Sequence, residues 1–277
     1  MGCIKKLLFR IKKTIKSSVF DTINSSTNTA FKIVRVSDNA ESTFNLAEIT
    51  NGTYDTWLSG LDGRIKEWID IDNNTVISQP AAPTASQYLR SNSGSPYSEQ
   101  IAQEDRLYGT HRHDLTNDWI VSVILTKELN NNNQRANIML QGVGKIHFCM
   151  QLGIYLNQMT VVLNSTTFGI NLPYNYGWNT IPQTDIFRLF TFCYIGGIFS
   201  TYLNNTDITS LGNKTGLWNL GGPRNDNTLI LGSGYTGTAG TGKINKYKHL
   251  AVLTDVDLSS FDIDTYNTEL MTRYSIV

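Results

Sequence analysis

The sequence is poor in residues that staple small domains or bind metal ions, and it contains no long apolar run. Its 277 residues include 3 cysteines and 6 prolines. The cysteines are an odd set without paired spacing, so they indicate neither a disulfide framework nor a zinc ribbon. Unpaired cysteines of this kind favour synthesis in a reducing compartment. No stretch has the roughly 20 consecutive apolar residues of a membrane-spanning helix.

Charge is distributed unevenly along a chain whose formal net charge is zero. The first twenty residues carry six basic side chains and no acid. Taking these six from the total of 23 leaves 17 basic residues against 23 acidic ones in the rest of the chain. This mildly acidic body argues against a protein that binds nucleic acid in bulk.

Apolar residues in the N-terminal segment recur at three- and four-residue steps, which places them on one face of a helix. We therefore predict an amphipathic N-terminal helix within an arm of residues 1–24, followed by one domain over residues 25–277. A membrane surface, packaged nucleic acid or an acidic groove of a protein partner would each suit such a helix, and we favour the groove. The predicted partner-binding residues are Ile4, Lys5, Lys6, Leu7, Leu8, Arg10, Ile11, Lys12, Lys13, Ile15 and Lys16.

The rest of the chain alternates short apolar runs with turn residues, and this spacing is typical of a β-sandwich or barrel. Gly196-Gly197 between two such runs indicates a hairpin. We also expect a short helix over Asp55–Leu61 and a long surface connection over Asn73–Glu104. The predicted strands are Phe31–Val36, Arg64–Ile71, Trp119–Leu125, Ala136–Leu140, Lys145–Leu152, Thr160–Leu163, Phe168–Leu172, Ile186–Tyr194, Ile198–Leu203, Thr228–Leu231 and Tyr247–Leu253.

Two segments near opposite ends of the chain resemble one domain family. Phe31–Glu41 (FKIVRVSDNAE) is similar to the arginine-rich strand and SSDNAE turn that open a concanavalin A-like sandwich of bacteriophage proteins. The segment from Lys243 to Ser260 resembles the closing strand and DLS turn of that domain, and Trp68–Asn73 (WIDIDN) stands where the family usually carries Trp-Tyr-Asp-Gln-Ser-Gly. The family, of LamG or arabinofuranosidase B type, is distantly similar to the catalytic domain of fungal arabinofuranosidase B.

The resemblance spans roughly residues 31–277 and implies a fold and a virion setting, but no active site. The implied fold is all-β, a concanavalin A-like jelly-roll sandwich of two antiparallel sheets, with the short N-terminal amphipathic helix and a C-terminal helix added. The catalytic carboxylates of the fungal enzyme have no counterpart that can be assigned residue by residue.

Motifs that would indicate catalysis or metal binding are incomplete. Gly237–Lys243 matches the first seven positions of a phosphate-binding loop, but Ile244 stands where a magnesium-binding hydroxyl is needed. His111 and His113 could share a strand face, yet zinc needs three or four ligands, so we expect two surface histidines.

Acidic residues likewise form no alternating set within a predicted strand, as a retaining glycosidase of this fold would require. Asp262 and Asp264 instead suit the first turn of the terminal helix. We therefore expect no enzymatic activity, no cofactor and no metal.

Glycan binding without hydrolysis stays open as an alternative. The segment Tyr174–Trp178, predicted as a loop, combines three aromatic residues with neighbouring amides, and Trp218 lies near Asn213 and Asn219. The carbohydrate-binding candidates are Tyr174, Tyr176, Trp178 and Trp218, although such aromatics also cap sandwich edges.

These observations together predict a non-enzymatic structural protein of a bacteriophage virion, on the head or the tail. Its partners would be other virion proteins, with several copies per particle and no sequence-specific contact to nucleic acid. The alternative is a lectin-like module that binds a polysaccharide of the host cell surface.

Overall fold

The computed structural model describes residues 14–15, 17–22, 28–79, 86–91, 95–101, 105–115, 117–127, 136–141, 147–152, 159–164, 174–178, 186–211, 213–214, 229–232, 245–254, 258 and 260–277. The strands are β1 Thr14–Ile15, β2 Ser17–Asp21, β3 Thr29–Arg35, β4 Glu41–Asn45, β5 Gly63–Asp70, β6 Thr75–Ser78, β7 Tyr88–Arg90, β8 Tyr97–Gln100, β9 Arg106–Gly109, β10 Arg112–His113, β11 Trp119–Lys127, β12 Ala136–Gln141, β13 His147–Leu152, β14 Met159–Asn164, β15 Tyr174–Trp178, β16 Arg188–Ile195, β17 Ile198–Leu203, β18 Thr206–Asp207, β19 Asn213–Lys214, β20 Leu229–Gly232 and β21 Asn245–Thr254. The helices are α1 Leu46–Thr50, α2 Thr53–Leu58 and α3 Ile263–Tyr274, with a 3-10 turn at Thr209–Leu211.

The strands form an antiparallel sandwich, as the sequence predicts. One layer has the order β18–β17–β16–β11–β21, and the far edge of β21 pairs with both β2 and β8. The other runs β4–β3–β5–β6–β9–β20–β12–β13–β14–β15–β19. Strand β7 joins the layers, because it pairs with β5 and with β8. Strands β1 and β10 form a separate parallel pair.

The core lies between the layers and is built around aromatic residues. Trp68 on β5 packs against Phe31 at 5.0 Å and against Phe20 on β2 at 5.9 Å between ring centroids. All three side chains are fully buried. Since Phe20 belongs to one layer and Trp68 to the other, this contact joins the two layers.

A bulge in β5 explains why Ile65 and Trp68 are both buried although simple alternation would place them on opposite faces. The pairing with β3 shifts register, so that Lys32 lies opposite Glu67 while Ile33 lies opposite Ile65. Lys66 is then the extra residue, and the alternation restarts after it. Simple alternation along the predicted strand is wrong at this point for that reason.

The C-terminal helix covers the outer face of one layer. Asp262 caps α3 by accepting hydrogen bonds from the amides of Asp264 and Thr265, and these bonds lower the pKa of its carboxyl. Leu270 and Tyr274 pack on the buried side chains of Ile124 and Leu189. The predicted C-terminal helix is confirmed. No helix among the described residues is long and apolar enough to cross a membrane.

The predicted N-terminal helix, within an arm assigned to residues 1–24, is wrong at its C-terminal end, and so is the domain boundary at residue 25. Thr14–Ile15 pairs with β10, and Ser17–Asp21 pairs with residues 249–253 of β21. The open edge of β21 supplies hydrogen-bond partners, and the core supplies a place for Phe20, so tertiary contacts override the helical pattern. Residues 1–13 and Lys16 lie outside the described residues.

The long connection predicted over Asn73–Glu104 is also wrong. It contains strands β6, β7 and β8, which are three or four residues long. Their buried residues include Ile77 and Leu89 but also Ser98 and Gln100, so the hydrophobic alternation is weak. The hairpin at Gly196-Gly197 is confirmed, with φ of 58° and 82°.

Replacing Phe20 with alanine tests whether β2 is part of the folded domain. We expect Phe20→Ala to lower the free energy of unfolding by about 3–5 kcal/mol, because it leaves a cavity against Trp68. The adjacent Val19 is only partly buried, so Val19→Ala serves as the control and should cost about 1 kcal/mol or less. Chemical denaturation measures the free energy of unfolding of both variants. Equally small losses in both would show that β2 is a dispensable arm and not part of the folded domain.

Candidate functional site

The hairpin that carries the family resemblance is a structural device. The Arg35 guanidinium donates to both carboxylate oxygens of Asp38, at 3.0 and 2.6 Å, and to the carbonyl of Trp57 at 2.6 Å. It also lies over the Trp57 ring, 4.9 Å from its centroid. Asn39 occupies the turn at φ 60°. The motif therefore braces the β3–β4 turn against α2. Its Arg35 guanidinium and Asp38 carboxylate are both engaged in these contacts.

The residues predicted for partner and glycan contact are only partly within the described structure. Ile15 lies in β1, and Tyr174, Tyr176 and Trp178 lie in β15, a strand hydrogen-bonded to β14 and β19. The prediction of an aromatic loop at this segment is wrong, because its backbone groups pair along a sheet. Trp218 and the predicted partner-binding residues other than Ile15 lie outside the described residues.

The structure assembles a serine, a histidine and an aspartate that sequence reasoning did not connect. Asp21 on β2 contacts Nδ1 of His249 on β21, and Nε2 of His249 lies 3.0 Å from Oγ of Ser122 on β11. This is the order of groups in a serine-hydrolase triad. The three residues are 101 and 127 positions apart in sequence, so no local motif could have connected them.

Helix α3 closes this network from outside. The hydroxyl of Tyr266 lies 2.7 Å from Ser122 Oγ, and the hydroxyl of Tyr274 donates to Asp21. Burial raises the pKa of both phenols, so they stay protonated. Ser122 and Asp21 are fully buried, and His249 is 2% exposed. Ser122 is thus closed to solvent in this arrangement, and the network acts as a latch that holds α3 and β2 on the sheet.

Of the two histidines predicted for the surface, His113 is buried and His111 is partly buried. His113 is 1% exposed, and its Nε2 lies 2.9 Å from Oγ of Ser18 on β2. The rings of His111 and His113 meet edge to face at 5.1 Å. The prediction is wrong because β2 covers this pair. The described residues contain no cluster of three or more histidine, cysteine or acidic side chains able to hold a metal ion.

Several carboxylates of the described residues have structural partners. Asp70 is fully buried and accepts from the amide of Val19 at 2.6 Å and from the side chain of Asn73 at 2.8 Å. Burial raises the pKa of Asp70. Glu41 is held by Lys32 and Lys66 on the outer face of the β3–β4–β5 region. These acids fasten strands together and are not paired across a cleft.

A partly exposed feature of another kind lies on the outer face of strands β5, β7, β8 and β21. It comprises Arg64, Tyr88, Arg90, Tyr97, Glu99, Lys246, Lys248 and the adjoining Phe187, and we call it the cationic–aromatic face. Much of it comes from the segment predicted to be a loop. The alternation in Tyr88-Leu-Arg90 and Tyr97-Ser-Glu99 is the sequence signal that could have identified it.

Comparison with solved structures supports the fold alone. The chain aligns with an arabinofuranosidase complexed with arabinofuranosyl-α-1,2-xylobiose at a TM-score of 0.55 and 12% identity, over 94% of this chain and 62% of the other. An α-L-arabinofuranosidase mutant soaked with 4-nitrophenyl α-L-arabinofuranoside gives 0.51 at 10% identity over the same shares. A mutant of HCR/D gives 0.50 at 8% identity over 87% and 51%. The chain thus spans less than two thirds of these proteins. No protein-family profile and no curated protein matches it.

The buried histidines predict a pH dependence of stability. Burial lowers the pKa of His111 to about 4 and that of His113 to about 3, while unfolded histidine titrates near 6.5. Below pH 6.5 the unfolded chain therefore binds protons that the folded protein does not, and each histidine costs about 1.4 kcal/mol of stability per pH unit.

We expect the free energy of unfolding to fall as the pH is lowered from 6.5 to 4.5. In His111→Gln, the slope of that free energy against pH should be smaller by up to about 1.4 kcal/mol per pH unit, which corresponds to one proton. Urea denaturation of both proteins at each pH measures the difference, and the subtraction cancels the other titrating groups. An unchanged slope would mean that His111 is solvated in the folded protein.

Proposed function

We propose that the chain is a non-enzymatic structural protein of a bacteriophage virion, in which the sandwich is displayed on the particle and the basic N-terminal segment attaches it. The observation that supports this best is the Phe31–Glu41 hairpin. Its sequence resembles that of phage sandwich domains, and its residues Arg35 and Asp38 brace the fold without forming a reactive site.

The position of β2 supports attachment through the N-terminus. Because Ser17–Asp21 is a strand of the sandwich, the basic segment before it starts from a fixed point at the edge of β21. The latch formed by Asp21 and His249 holds that point in place. Force on the basic segment is therefore carried by the hydrogen bonds of β2 into the whole domain, which an attachment through this segment requires.

The sealed network supports a role without catalysis. Although Ser122, His249 and Asp21 have the order of a hydrolase triad, the hydroxyl of Tyr266 contacts Ser122 and that of Tyr274 contacts Asp21, and all three residues of the triad order are buried. The described carboxylates that fasten strands are likewise paired with protein groups. These features favour display or binding over bond cleavage.

A lectin-like role is the second candidate, and the cationic–aromatic face favours it. Aromatic rings beside charged and amide groups are the usual components of a sugar site. The arabinofuranosidase and HCR/D structures share only the fold with this chain, and fold alone does not assign a ligand.

Truncation of the chain tests the virion role. We expect a variant lacking residues 1–13 to fold with the stability of the full chain, because it retains β1 and β2, but to be absent from purified particles. Mass spectrometry gives the copy number per particle. A variant lacking residues 1–21 is the matched contrast, since it also removes Phe20 and Asp21 and should not fold.

A second variant separates the contribution of charge to attachment from that of the apolar side chains. In it, Lys5, Lys6, Lys12 and Lys13 are changed to glutamine and the apolar positions are kept. We expect fewer copies per particle, and weaker retention of the unchanged protein at high salt, because salt screens exposed charges. If the variant lacking residues 1–13 is present at full copy number, the sandwich and not the N-terminal segment makes the attachment. If the full chain is absent from particles, the virion role is wrong.

A further inference from the structure

The cationic–aromatic face is organised in two rows that cross the strands. Arg64 lies opposite Tyr88, Tyr88 opposite Glu99, and Glu99 opposite Lys246, so the first row crosses β5, β7, β8 and β21. Arg90 opposite Tyr97 starts the second row. Three strand spacings of about 4.8 Å give the first row a length of about 14 Å. That length suits a short stretch of an extended polymer.

The side chains of both rows point away from the core. Their chain neighbours Ile65, Leu89 and Tyr247 are fully or almost fully buried in the interior cluster. Successive residues of a strand face opposite sides, so Arg64, Tyr88 and Lys246 lie on the outer side. Helix α3 covers the sheet around Ile124 and Leu189, and of the face only Phe187 packs against that cluster.

One cation in the first row is without a carboxylate among the described residues. Arg64 donates from Nε and Nη2 to the Tyr88 hydroxyl, at 3.0 and 2.9 Å, and lies 5.3 Å from the centroid of the same ring. Arg90, on the same ring at 5.1 Å, is instead neutralised by Glu99 and Asp62. The Tyr88 ring therefore lies close to two guanidinium groups, of which only that of Arg90 has a counter-charge within the described part of the chain.

A second cation without a described carboxylate lies at the other end of the face. Lys248 occupies a bulge of β21 and is 8% exposed. Its Nζ donates to Ser95 Oγ at 2.7 Å and lies 4.3 Å from the centroid of the Phe187 ring. Burial lowers the pKa of this amine. A nearly buried ammonium ion is costly without a counter-ion, and a bound anion would offset that cost.

We propose that the cationic–aromatic face binds an acidic polysaccharide, with Arg64 and Lys248 holding carboxylates at opposite ends of the bound stretch of acidic sugars. The rings of Tyr88, Tyr97 and Phe187 supply apolar surface for the sugar rings, and Glu99 accepts from sugar hydroxyls. This proposal develops the second candidate function and does not depend on the virion role.

Glu99, the acidic residue of the first row, distinguishes acidic glycans from neutral glycans and from acidic polymers without hydroxyl groups. A polymer of charges without hydroxyl groups meets repulsion from Glu99, which Arg90 only partly neutralises, at 2.6 Å. A neutral glycan leaves Arg64 and Lys248 without a counter-charge. A sugar that carries both hydroxyl and carboxylate groups satisfies all of these residues, so the face fits uronic-acid polymers better than either simpler class.

Three polymers separate these classes in a binding assay on the purified full chain, read by calorimetry or biolayer interferometry. Polygalacturonate has sugar rings and carboxylates, dextran has only the rings, and poly-glutamate has only the carboxylates. We expect polygalacturonate to bind at least ten-fold more tightly than the other two, without release of reducing ends. Equal binding of poly-glutamate would show simple ion exchange, and failure of polygalacturonate to bind would overturn the proposal.

Two substitutions test the named residues. Arg64→Gln should weaken polygalacturonate binding about ten-fold, since charged hydrogen bonds are strong contributors. Lys32→Gln is the matched control, because Lys32 lies among Glu41 and Glu67 outside the two rows, and it should change affinity less than two-fold. An equal loss of affinity for polygalacturonate in both variants would show that binding depends on the overall charge and not on Arg64.

Lys248→Met separates a binding role from a structural one. Replacing a buried cation by an apolar side chain of similar length should leave the melting temperature unchanged or raise it. We expect affinity for polygalacturonate to fall about ten-fold in the same variant. Unchanged affinity would remove Lys248 from the site, and a lower melting temperature with unchanged affinity would make it purely structural. Neither result bears on incorporation into particles, which is measured separately.

Discussion

The buried carboxylate of Asp21 is the constraint that joins the first and last elements of the fold. It contacts His249 on β21 and accepts from Tyr274 on α3, while His249 continues to Ser122 on β11. Leaving a buried polar group without its hydrogen-bond partner usually costs about 1–3 kcal/mol. The N-terminal strand and the C-terminal helix therefore stabilise each other through this carboxylate.

Local pattern predicted the parts of this structure that local physics determines. The long apolar strands β11, β16 and β21, the glycine hairpin and the capped terminal helix were all predicted, because alternation, positive φ and capping are visible in sequence. Strands β2, β7 and β8 were missed, since they are short or polar and form by pairing with distant strands. The network of Asp21, Ser122 and His249 was missed for the same reason.

The features behind the two proposals lie on neighbouring parts of one strand. Strand β21 pairs with β2 at residues 249–253 and with β8 at residues 245–247. The proposed attachment thus begins beside the proposed glycan face, and both depend on the same rigid edge. Closure of the Ser122 network by α3 is consistent with a sandwich that presents a surface and does not cleave what it binds.

Hydrogen exchange followed by mass spectrometry tests the sealed latch most directly. Peptides covering residues 17–22 and 263–274 should exchange as slowly as those of β11 and β21, because release of β2 or α3 requires unfolding of the whole domain. Rapid exchange in either segment, with the sheet still protected, would contradict this account. It would show that α3 opens in the native protein and that Ser122 and His249 become accessible for chemistry.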